Sequence, residues 1–128
     1  MDYKISLSES GNYVIIKVMQ PMTSELGHRC GTDAARLAGE KKTNRFLFDL
    51  RESQNIQTVI KNYDFAYEGM MDFGFPRASM SALLIKQGDK SHDFIETAFL
   101  NAGYNVKLFT NEKSAIAWLE YSYKDKNK

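Results

Sequence analysis

Short apolar runs alternate with helical stripes along this chain. Tyr3, Ile5 and Leu7 alternate with Lys4, Ser6 and Ser8, which predicts a half-buried strand suited to a sheet edge. Ser10-Gly11-Asn12 reads as a turn. Tyr13 to Met19 is almost continuously apolar and β-branched, the pattern of a strand covered on both faces. These two strands predict an N-terminal hairpin. After Pro21, Thr23 or Ser24 can cap a helix whose stripe is Leu26, Cys30, Ala34 and Leu37, with Gly39 near its end. Gly27, Gly31, Ala35 and Ala38 form a second ridge of small residues, fit for close packing.

Phe46 to Leu50 predicts the third strand, and Arg51 to Asn55 a polar loop. From Thr58 to Met71 the apolar residues return at helical spacing, until Gly74 and Pro76 break the pattern. Ser81 to Ile85 predicts a fourth strand. Ser91 can cap a third helix with Phe94, Ile95, Ala98, Phe99 and Ala102 on its core side, ended by Gly103. Val106 to Phe109 predicts a fifth strand at a sheet edge, and Asn111 caps a last helix carrying Ala115, Ile116, Trp118 and Leu119. The order ββαβαβαβα predicts an α/β domain. Its sheet is five-stranded and mixed but mostly parallel, with an N-terminal hairpin and about four helices. One domain over residues 1–120 precedes a polar, lysine-rich tail, 121–128, expected to fray.

Composition narrows the partners. Among 128 residues, 17 Lys and Arg face 16 Asp and Glu, leaving a net charge of +1. Such a balance gives no single-sign field to attract nucleic acid. The lone cysteine, Cys30, excludes an internal disulfide framework and fits a reducing compartment. The first residues start directly with strand-like alternation, without an apolar signal core. No run approaches the roughly 20 apolar residues of a transmembrane helix. A soluble, cytoplasmic protein is therefore expected.

Two segments carry a family resemblance. They are Phe46-Leu47-Phe48-Asp49-Leu50, and the run from Asn101 to Phe109 with Ala115-Ile116-Ala117-Trp118-Leu119 after it. In this order of elements, the chain resembles the SpoIIAA-like (STAS) domain over about residues 3 to 120. More narrowly it resembles the bacterial STAS/SEC14-like branch, related in fold to CRAL-TRIO lipid-binding domains. In the antagonist family, the strand ending Asp-Leu leads to an Asp-Ser-Ser-Gly-like motif whose first serine is phosphorylated. Here the matching residues are Gln57-Thr58-Val59-Ile60, so only a hydroxyl, Thr58, survives as a candidate phospho-acceptor. A phosphate there would meet a helix N-terminus, and the plain alternative is an N-cap threonine.

The residues themselves show no catalytic signature. Asp49 with Lys86 would suit a receiver domain, but the further carboxylates needed to hold magnesium are missing near the first strands. Asp49 is expected to be structural or to bond its loop. His28 and Cys30, two apart, face different sides of a helix. Cys30 reads as a core residue, and His92 beside Asp93 as a solvated first turn. No metal ligands or cofactor site are expected, nor a phosphate loop.

The strongest functional hint is the excess of Tyr63, Phe65, Tyr67, Met70, Met71, Phe73 and Phe75. This excess is either core closure or an exposed partner or ligand surface. The carboxyl ends of the strands, where open α/β sheets bind ligands, add Arg51, Glu52, Ser53 and Lys86. The expected function is a non-enzymatic regulatory or interaction module that docks a protein partner or a second copy as a homodimer. The alternative is a small protein that binds lipid or another apolar ligand.

Overall fold

A computed structural model describes residues 2–55 and 78–126, with side chains through Tyr121. The elements are β1 (Tyr3–Leu7), β2 (Val14–Val18), α1 (Ser24–Lys41), β3 (Arg45–Asp49), β4 (Met80–Leu84), α2 (Asp93–Asn101), β5 (Asn105–Phe109) and α3 (Glu112–Lys126). They form one five-stranded sheet in the order β1-β2-β3-β4-β5. The first pair is antiparallel and the other three are parallel. The α/β class, the N-terminal hairpin and the mixed sheet agree with the pattern of the sequence. Three helices lie among the described residues, and the helix predicted over 58–71 falls outside them.

Alternation along the strands divides the apolar residues between two layers. One face presents Val14, Ile16, Val18, Phe46, Leu83 and Val106 to α1 and α2. The other presents Leu47, Met80, Ala82 and Leu84 to α3, which seats Ala115 and Leu119 there. Right-handed crossovers explain the asymmetry. Successive parallel strands laid down in one direction put α1 and α2 on the same face, and α3, following the last strand, crosses to the other.

Within α1, Thr23 accepts the Leu26 N–H at 3.1 Å, as an N-cap should. Leu26, Cys30, Ala34 and Ala38 are buried, and so are Gly27 and Gly31. The helix outruns Gly39 and ends at Lys42, which takes the left-handed conformation with φ 57°. One other local expectation changes. Phe94 is 53 % exposed, because α2 needs only Ile95, Ala98 and Phe99 to cover the β5 side of the sheet. Helix α3 runs on through the first part of the predicted tail to Lys126.

The two sheet edges differ. At β5, the Glu96 carboxylate of α2 accepts the Leu108 N–H at 2.7 Å. At β1, Tyr3, Ile5 and Leu7 rest half-buried against the α1 layer, while Lys4 and Ser6 point to the opposite face and are exposed. Among the described residues, no helix that could cross a membrane occurs.

Candidate functional site

The carboxyl ends of β2, β3 and β4 and the start of α3 meet in one polar rim. At its centre is Asp49, the last residue of β3 and only 8 % exposed. Its carboxylate accepts two parallel bonds from the Arg51 guanidinium, from Nε at 2.9 Å and Nη2 at 2.8 Å, and a third from the Arg51 main-chain N–H at 3.3 Å. A buried acid at a strand end thus holds an arginine two residues later in a fixed, forked geometry. Burial pulls the Asp49 carboxyl up, but the Arg51 bonds outweigh it and hold the group below its ordinary range. The same contact raises Arg51 further above its already high value.

Arg51 reaches outward too. Its Nη1 lies 3.8 Å from Oε1 of Glu112, in the first turn of α3. Both side chains are about half exposed, so this contact is weak and replaceable. Beside it, Lys17 of β2 faces Glu52 at 3.5 Å, again in solvent. Lys17 and Glu112 have no place in a local motif. Their signals are a single cation inside the apolar run of β2 and an acid following the Asn111 cap.

Two residues past Arg51, Ser53 belongs to a second, buried polar knot. His92 is 1 % exposed, and its Nε2 donates to the Ser53 carbonyl at 2.7 Å. The expectation of a solvated His92 is therefore corrected: the loop after β4 folds the imidazole inward to satisfy a buried carbonyl. Burial lowers the His92 pKa, against the opposing pull of the Ser53 carbonyl, Asp89 and Asp93. Asp89 Oδ1 accepts the Ser91 N–H at 2.9 Å, and Ser91 Oγ accepts the Asn55 N–H at 3.0 Å instead of capping α2. Met22 N–H bonds the Gln54 carbonyl at 2.7 Å, drawing the α1 entrance to the same place.

The predicted site residues separate accordingly. Arg51 and Glu52 stand on the rim. Ser53 is 2 % exposed and leaves the surface, because its carbonyl is the anchor for His92. Lys86 is exposed past the end of β4 and forms no ion pair among the described residues. Thr58, Tyr63, Phe65, Tyr67, Met70, Met71, Phe73 and Phe75 lie outside the described residues. His28 is exposed while Cys30 is buried, so the two diverge as their spacing requires. Burial pushes the Cys30 thiol up to about 12 despite main-chain N–H groups that favour the thiolate. Among the described residues, no cluster of three metal-ligating side chains forms.

The chain matches no family model, no curated protein and no solved structure.

Proposed function

We propose that this chain is a non-enzymatic interaction module of SpoIIAA-like fold, and that it docks another polypeptide through the rim around Arg51. One observation carries the reading: a half-exposed arginine is held by a nearly buried aspartate through two parallel bonds. Fixing the side chain in advance removes much of the entropy cost of immobilising an arginine on binding. Preorganised arginines are favoured anchors of protein interfaces. The partner presents a carboxylate, which takes the place of Glu112 at the outer edge of the guanidinium. Lys17 and Glu52 supply the polar border of the contact.

Native mass spectrometry of the untagged full chain, gently released from its own cell, tests this. The expected spectrum contains a stoichiometric complex with a second kind of polypeptide, lost in Arg51→Ala while the variant remains folded. A lipid-sized mass increment on the chain, with no such complex, would replace this reading by that of an apolar-ligand carrier. A complex unaffected by Arg51→Ala would move the docking surface away from the rim.

A further inference from the structure

The loop after β3 has no hydrophobic side chain to bury. It reads Arg51-Glu52-Ser53-Gln54-Asn55. Three hydrogen bonds tie its second half to other parts of the fold. His92 Nε2 donates to the Ser53 carbonyl at 2.7 Å, and the Asn55 N–H donates to Ser91 Oγ at 3.0 Å. The Met22 N–H donates to the Gln54 carbonyl at 2.7 Å. A segment fastened by polar bonds, without apolar packing of its own, opens at a lower free energy than the core.

One of these three bonds comes from a group that titrates. A neutral imidazole with its proton on Nε2 satisfies the Ser53 carbonyl. A second proton, on Nδ1, places a cation in a side chain that is 1 % exposed. Burial resists that charge more than the nearby groups favour it. Among the described residues, the acids facing the imidazole are Asp89, whose Oδ2 lies 3.8 Å from Nε2, and Asp93. Both stand on the turn and helix that carry His92, and the loop after β3 brings the Ser53 carbonyl. Opening puts the imidazole in water, where that burial cost disappears. Ser53 pulls the same way. Its hydroxyl is buried with no hydrogen-bond partner among the described residues, and opening hydrates it.

We propose that His92 is an acid-released latch, which fastens residues 53–55 to the turn before α2 and lets them go when the imidazole takes up a second proton. The open form exposes His92 and binds that proton at the ordinary histidine value of about 6.5, whereas the closed form binds it only at lower pH. Acid therefore favours the open form. Below about 6.5 its population rises by up to tenfold per pH unit, until the closed form protonates too. The fork between Asp49 and Arg51 precedes the released residues and keeps its own bonds.

Amide hydrogen exchange of the full chain, read by nuclear magnetic resonance and corrected for the intrinsic pH dependence of exchange, tests this. The Met22 and Asn55 N–H groups report the latch. The Leu50 N–H, bonded to the Leu84 carbonyl, reports the sheet. From pH 7.5 to 5.5, protection of Met22 and Asn55 should fall by up to about tenfold. Their exchange should ignore low urea, the mark of a local opening, while that of Leu50 responds to it. His92→Gln keeps a side-chain N–H donor but cannot titrate, so the pH dependence at Met22 and Asn55 should vanish. Protection at both amides that is unmoved by pH in the parent overturns the proposal. So does exchange there as sensitive to urea as that of Leu50, because the whole molecule then opens. These two readings need only the parent chain and hold even where the variant does not fold. A pH-dependent loss that persists in folded His92→Gln overturns the proposal as well.

Discussion

The fork between Asp49 and Arg51 can be weighed by a double-mutant cycle of Asp49→Ala, Arg51→Ala and the double variant. A hydrogen bond to a charged group is worth about 1.5–3 kcal/mol. Fully exposed ion pairs give only about 0.2–1 kcal/mol. This pair falls between, with side chains 11 % and 42 % exposed. Solvent reaches the arginine and screens it, so the expected coupling energy is about 1–2 kcal/mol in urea denaturation at pH 7.

The pH dependence has a definite sign. The Asp49 carboxyl is held below its ordinary range, so its contribution is fully present above the unfolded value of about 4 and is lost as pH falls through the folded value. The coupling should be the same at pH 7 and pH 5.5 and should shrink below about pH 4. A coupling under about 0.3 kcal/mol at pH 7, within the usual additivity of unlinked sites, would refute the claim that Asp49 holds Arg51.

Three further outcomes follow from other parts of the molecule. The buried Cys30 thiol, raised to about 12, should react with a thiol reagent only through unfolding. Its labelling rate should then rise with urea in step with the unfolded fraction, and fast labelling of the native chain would contradict this placement. His92 is depressed by burial, so the unfolded chain binds the extra proton as pH falls through about 6.5, and stability drops between pH 7.5 and 5.5. An imidazole signal of His92 titrating above 6.5 in nuclear magnetic resonance would contradict it. Lys42→Gly relieves a left-handed residue at the end of α1 and should raise stability by about 0.5–1 kcal/mol, measured by the urea midpoint.

The fold was legible where one periodicity dominated a segment. Tyr3, Ile5 and Leu7 show the two-residue period of an edge strand, and Tyr13 to Met19 the unbroken apolar run of an inner one. The Thr23 cap and the Cys30 stripe were equally local signals. Strand limits moved by about one residue because register is set between strands. Arg45 joins β3 by pairing with Met80, far away in the sequence.

The site was less legible for the same reason. Asp49 and Arg51 are close in sequence, but Lys17 and Glu112 reach their rim positions only through the sheet. Ser53 and His92 are 39 residues apart, and no local pattern announces that the carbonyl of one will accept a hydrogen bond from the imidazole of the other inside the protein. Gly39 looked like the end of α1, yet the tertiary fit let Lys42 adopt the turn conformation instead.

The most direct measurement is photo-crosslinking in the cell that makes the chain, with a photoreactive side chain at Glu52 on the rim and, as a control, at Thr97 on the outer side of α2. Both positions are exposed. One dominant polypeptide adduct is expected from position 52, diminished when Arg51→Ala is added, and none of that adduct from position 97. The same adducts from both positions, or none from position 52, would contradict it.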